Sequence, residues 1–179
     1  MEPNNNKKRL ISVLIVLGLI LLTFMCWMIF KKSKPQVLTP TQQVSKDAKE
    51  IFSVAKLTFP KIIKLVPLAA KDVPADIQIF SLAGATGQVY NTIQYENNKT
   101  GYQTSYLVPN FTMTEFMSAL PKQVTSTGNK SSWIMQNGTR TDIVGYLEFV
   151  NNTSKDQARV TFFQQGNGVK VVLQSLKVK

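Results

Sequence analysis

Apolar and polar residues are distributed along this chain in three successive regimes, and each predicts a different kind of element. The first is an unbroken apolar run at residues 10–30, which is 21 residues long and carries no charge. A helix rises about 1.5 Å per residue, so the run matches a hydrocarbon core of about 30 Å. Lys7, Lys8 and Arg9 bound it on one side, and Lys31, Lys32 and Lys34 on the other. The pattern predicts a single transmembrane helix. A secretory signal has a shorter apolar core, about 7–15 residues, and a small-residue cleavage site. Here the run is longer and continues into Lys31, Lys32 and Ser33. Cys26 follows Met25 where a lipid-attachment motif needs a small residue, so it reads as a small apolar side chain within the span.

The second regime is mixed. Pro35 and Pro40 disfavour helix, and the polar composition around them makes residues 31–43 a linker. Ala48, Ile51, Phe52 and Ala55 then recur at i, i+3, i+4 and i+7, the stripe of an amphipathic helix expected to start near Ser45. Residues 59–73 interleave Ile62, Ile63, Leu65 and Val66 with Lys61, Lys64 and Lys71, and are broken by Pro60 and Pro67. This stretch fits packing on the distal domain or lying in the membrane interface with its lysines outward.

From residue 74 the period drops to two. Val89, Ile93 and Tyr95 alternate with polar neighbours, residues 97–101 form a turn, and Tyr102, Thr104, Tyr106 and Val108 alternate on a return strand. The three tyrosines are expected to share one face. A helix follows, opened by the capping box Thr112-x-x-Glu115 with Phe111 and Phe116 as a hydrophobic staple, and expected to stop at Pro121. Trp133 begins another strand, Asn137-Gly138 reads as a turn, and strands follow over residues 143–150, 158–164 and 169–176. An extra strand is open at residues 77–80. The order β-β-α-β-β-β-β predicts an α+β domain, an antiparallel sheet of about six strands with one or two helices packed on it. The expected organisation is a basic tail (1–9), a transmembrane helix (10–30), a linker (31–43), a basic, partly helical juxtamembrane segment (44–73) and the sheet domain (74–179).

Charge sharpens this picture. The formal net charge is +11, of which +5 lies in residues 1–34, +4 in residues 35–71 and only +2 in residues 72–179. Basicity concentrated beside the span favours anionic head groups over nucleic acid, with Lys31, Lys32, Lys34, Lys61 and Lys64 as candidate membrane-surface contacts. Counting lysines does not fix the orientation, because the downstream flank is slightly the more basic. A short basic tail beside the span resists translocation, so the tail is expected in the cytoplasm and the C-terminal domain outside it.

Candidate chemistry is sparse. There is no histidine, and the one cysteine lies in the apolar run, which excludes a Ser-His-Asp arrangement and removes the commonest metal ligand. The acids downstream of residue 71 fall at no ligand-like spacing, and Gly84-Ala-Thr-Gly87 lacks the ending of a phosphate-binding loop. No residue is assigned a catalytic, metal or cofactor role. Six N-x-S/T sequons, at Asn98, Asn110, Asn129, Asn137, Asn151 and Asn152, would matter in a host that glycosylates.

Two functions fit. The first is a membrane-anchored, non-catalytic interaction domain with a protein partner in the membrane or envelope, its candidate surface being Tyr95, Tyr102, Tyr106, Trp133 and Tyr146. The second is a small-ligand or lipid-binding domain whose pocket would be lined by Phe162, Phe163, Tyr146 and Trp133. A filled core with an exposed apolar patch favours the first, and a large internal cavity the second.

Overall fold

The computed structural model describes residues 40–126 and 132–178. The expected span at 10–30 and most of the linker lie outside these residues. Among those described, no helix is long and apolar enough to cross a membrane.

The elements run in the order α1 (Pro40–Phe52), β1 (Ile62–Pro67), a 3-10 turn (Ala70–Asp72), α2 (Ala75–Gln78), β2 (Thr86–Tyr95), β3 (Thr100–Pro109), α3 (Met113–Thr125), β4 (Trp133–Arg140), β5 (Val144–Asn151), β6 (Gln157–Gln165) and β7 (Gly168–Leu176). The strands form one seven-stranded sheet in the order β1-β2-β3-β7-β6-β5-β4, every pairing antiparallel. Two meanders, β1–β3 and β4–β7, are thus joined by β7 against β3, with α3 as the connection between them. The domain is α+β, with one strand more than the alternation predicts.

That extra strand is β1. It is an edge strand, and its side chains are exposed on both faces apart from the partly covered Ile62, so it shows no alternation to read. The sheet therefore begins upstream of the expected boundary at residue 74. Residues 77–80 are not a strand: Ile77 and Phe80 are buried on one side of α2 and the turn that follows it. Asn137-Gly138 is not a turn either, but lies inside β4 beside a bulge. A Cβ on Gly138 would stand 2.6 Å from the Leu147 side chain, so the glycine serves close approach rather than chain reversal. The reversal falls at Thr141, whose hydroxyl accepts from the N–H groups of Ile143 and Val144, both at 3.2 Å.

Helix α3 starts as its sequence dictates. The Thr112 N–H donates to Glu115 at 2.8 Å, and the Glu115 N–H returns a bond to Thr112 Oγ1 at 3.2 Å. The Thr112 N–H and hydroxyl, both donating to it, hold the Glu115 carboxyl below the usual carboxylate range. The helix does not stop at Pro121 but runs on to Thr125. An interior proline costs about 3 kcal/mol. Phe116, Leu120 and Val124 lie at i, i+4 and i+8 and are fully buried, and each such side chain returns about 1.5–3 kcal/mol. Tertiary burial outweighs the local break.

The main core lies between one sheet face and α3, α2 and the turn after α2. Phe80 packs edge-on against Trp133 and Phe149, each with centroids 5.2 Å apart. The opposite face is covered by α1 and the extended segment that follows it. The stripe Ala48, Ile51, Phe52 and Ala55 meets Val144, Tyr146 and Phe163 there, as the periodicity predicts. The helix begins earlier than Ser45, with Pro40 in its first turn, where a missing N–H costs nothing.

Candidate functional site

The most constrained polar cluster lies where the extended segment after α1 crosses β5 and β6. Glu148 and Arg159 are direct partners in the strand register, so their side chains emerge side by side on one face. Glu148 is fully buried, and its Oε1 accepts from Arg159 Nη2 at 2.7 Å and from Nε at 3.1 Å. The same carboxylate accepts the backbone N–H groups of Lys56, at 2.9 Å, and Leu57, at 3.1 Å. Arg159 in turn donates to the Leu57 carbonyl. Its guanidinium also lies over the rings of Phe52 and Phe59, at 5.6 and 4.9 Å from their centroids. Asn137 Nδ2 completes the attachment, donating to the Val54 carbonyl and the Tyr146 hydroxyl, both at 3.0 Å. The cluster straps residues 52–59 onto the sheet. Both oxygens of the Glu148 carboxylate are engaged with the chain itself.

The sequence-predicted surface residues divide sharply. Tyr95, Tyr106 and Tyr146 are fully buried and Trp133 nearly so, so their side chains belong to the interior. Nor do the three hairpin tyrosines share a face. Thr92 pairs with Tyr102 and Ile93 with Gly101, which puts Tyr95 with Ile93 on one side and Tyr102 and Tyr106 on the other. Each buried phenol has a structural partner: Tyr95 donates to the Ser175 carbonyl at 2.8 Å and Tyr106 to the Phe80 carbonyl. Burial pushes both hydroxyls well above the ordinary tyrosine range, and burial with the neighbouring Glu148 carboxylate raises that of Tyr146. The Trp133 indole donates to the Asp76 carbonyl at 3.1 Å.

Tyr102 alone keeps part of its ring in solvent. Lys177 Nζ lies 5.0 Å from its ring centroid and donates to its hydroxyl at 3.2 Å. This pair lines two depressions. One, of about 310 Å³, is lined by Lys64, Val66, Thr92 and Gln94 of β1 and β2. The other, of about 210 Å³, reaches Asp76, Trp133 and Asp156. The aromatic pocket expected around Phe162, Phe163, Tyr146 and Trp133 does not form. Phe162 and Trp133 fill the main core, whereas Tyr146 and Phe163 pack under α1 on the other face.

Of the candidate membrane contacts, Lys61 and Lys64 are exposed on and beside β1, and Lys31, Lys32 and Lys34 lie outside the described residues. Neither Lys61 nor Lys64 has an ion pair among the described residues. Between and beside them Ile63, Leu65 and Val66 are 56%, 45% and 42% exposed. Among the described residues no three His, Cys, Asp or Glu side chains come together to hold a metal. The sequons also divide. Asn98, Asn110 and Asn152 are exposed, whereas Asn151 is buried, its Oδ1 accepting from the N–H groups of Thr153 and Ser154. Asn137 is committed to the strap, and Asn129 lies outside the described residues.

Sequence reasoning missed Glu148 and Arg159. The available signal was a glutamate inside the otherwise apolar strand Val144–Asn151, which needs a partner if the strand is buried on both faces. It also missed Lys177, which approaches Tyr102 only through the β3–β7 pairing. No known protein family, curated protein or solved structure matches this chain.

Proposed function

We propose that this chain is a single-pass membrane-anchored, non-catalytic interaction domain, held outside the cytoplasm as an accessory or structural subunit of a membrane or envelope complex. The observation that carries this reading is the contrast between a filled interior and an apolar edge left in solvent. The aromatic residues that could have walled a ligand pocket are divided between the two faces, Trp133 packing on Phe80, Phe162 on Phe116 and Tyr146 on Phe52, whereas Ile63, Leu65 and Val66 on β1 stay largely exposed. Exposed apolar side chains grouped on one element mark interaction sites more often than chance surface.

Two further features support it. The apolar run at 10–30 supplies an anchor, and the strap ties residues 52–59, downstream of that run, to the sheet. The strap fixes where the chain leaves the sheet on its way towards that run. The reading is tested in two steps. Protease accessibility of a C-terminal tag on intact cells should give digestion from outside. Photocrosslinkers at Leu65, Lys170 and Val178 in native membranes should then capture a discrete partner. Protection of the tag on intact cells would refute the orientation, and absence of crosslinks at every position would refute the interaction role.

A further inference from the structure

Strand β1 closes one side of the sheet, and among the described residues no strand pairs with its outer backbone. The Leu68 N–H donates to the Tyr90 carbonyl at 2.9 Å, and Val66 pairs with Thr92 and Lys64 with Gln94. Antiparallel pairing alternates, so the backbone groups of Val66 and Lys64 point at β2 while those of Leu65 and Pro67 point outward. An outward amide and carbonyl at Leu65 form a template for another strand. Pro67 has no N–H to offer, and the register shifts between Ile62 and Lys64. These two features limit the template to a short window centred on Leu65.

The exposed side chains wrap around the edge rather than lying on one plane. The register places Leu65 on the face of Ile93 and Val66 on the face of Thr92 and Tyr102. A strand laid alongside β1 covers both, because it contributes side chains to both faces. A bilayer meeting this edge would have to bury the outward backbone groups of Leu65 without partners, at several kcal/mol each. Strand addition satisfies them.

Charge selects the occupant. Lys61 and Lys64 are the only charged residues between positions 59 and 70, and neither is neutralised among the described residues. A second copy of β1 would add two more unneutralised lysines to the same edge, and edge lysines disfavour self-pairing. Residues 1–34 carry a net +5 and are excluded on the same ground. We infer that β1 is the docking edge for an extended acidic segment of a partner protein, added as a further strand with its carboxylates beside Lys61 and Lys64 and its apolar residues over Ile63, Leu65 and Val66. This inference rests on the interaction reading above and specifies the partner's chemistry.

The test uses the full chain in a neutral detergent and a short blocked peptide alternating glutamate and valine, with its lysine–valine counterpart as control. Amide exchange at Leu65 should slow by roughly tenfold or more with the acidic peptide and hardly at all with the basic one. Lys61→Glu with Lys64→Glu should invert that preference, and Leu65→Pro should abolish binding. If Leu65→Pro fails to fold, the charge-reversed variant still decides the matter, since its substitutions are on exposed side chains. Four results would overturn the inference: no protection of Leu65, equal protection by both peptides, protection by anionic phosphatidylglycerol vesicles but not by peptide, or protection that rises with the protein's own concentration alone. In native membranes, crosslinks from Lys170 or Val178 but none from Leu65 would overturn it while leaving the interaction reading standing. Absence of crosslinks at all three positions would defeat both.

Discussion

On the face that carries Phe80, Phe116 and Phe162, the sheet is covered by side chains that need only be apolar and of suitable size. On the face that carries Glu148 and Arg159, cover comes from a chain segment held by a buried carboxylate, a guanidinium and two backbone N–H groups. The first kind of cover tolerates exchange of one hydrocarbon for another. The second is specific, because each member leaves an unpaired partner behind when it is removed. The main core thus supplies apolar burial, whereas the strap fixes residues 52–59 at one defined position on the sheet.

Removing a member of the strap gives the largest expected effect. Glu148→Ala strands the Arg159 charge and two N–H groups, and should cost about 3–5 kcal/mol in denaturant unfolding. Replacing Glu148 and Arg159 together by Leu and Met should recover most of that loss, since apolar pairs often substitute for buried ions. If the double variant is no better than the single one, the charges are required for more than mutual neutralisation. On the other face, Phe116→Ala should cost a similar 3–5 kcal/mol through the cavity it leaves. It should leave exchange at the Lys56 and Leu57 amides unchanged, whereas Glu148→Ala should accelerate it.

Alkaline titration probes both faces at once. Tyr95 and Tyr106 lie on opposite sides, and burial raises both hydroxyls. An unfolded tyrosine ionises near pH 10, so the stability linked to these groups is complete below that pH. It falls as pH rises towards the folded-state values, by about 1.4 kcal/mol per pH unit for each phenol still protonated in the fold. Phenolate absorbance should therefore appear for these two tyrosines only together with unfolding. The smallest effect belongs to Thr112→Ala, which removes the α3 cap and should cost about 1 kcal/mol in the same unfolding assay.

What the sequence made legible follows the range of the physics. The capping box, the β2–β3 hairpin and the stripe on α1 each depend on residues within a few positions of one another. Pro121 and Asn137-Gly138 were misleading because their local preferences are strong and tertiary contacts overrule them. Strand β1 was hidden because an uncovered edge strand has no inside and outside to alternate. The strap was hidden for a different reason. Glu148 and Arg159 are distant in sequence from Lys56 and Leu57, and only the β5–β6 register and the fold of the N-terminal segment bring them together. The tyrosines looked like a surface because aromatic alternation reads the same in a core as in a binding face, and only the register separates Tyr95 from Tyr102 and Tyr106.

The position of β7 between β3 and β6 has a consequence for how the chain is made. β7 is synthesised after the other six strands of this sheet, yet it is the one that joins the two meanders. Until residues 168–176 are available, β3 and β6 each present an open edge with buried-type side chains such as Tyr106, Val108, Val160 and Phe162. A nascent chain therefore waits with two half-sheets that cannot close, a period in which unpaired edges invite misassociation. Stalling just before β7 should yield an aggregation-prone species, and release beyond it a domain that closes in a single late step.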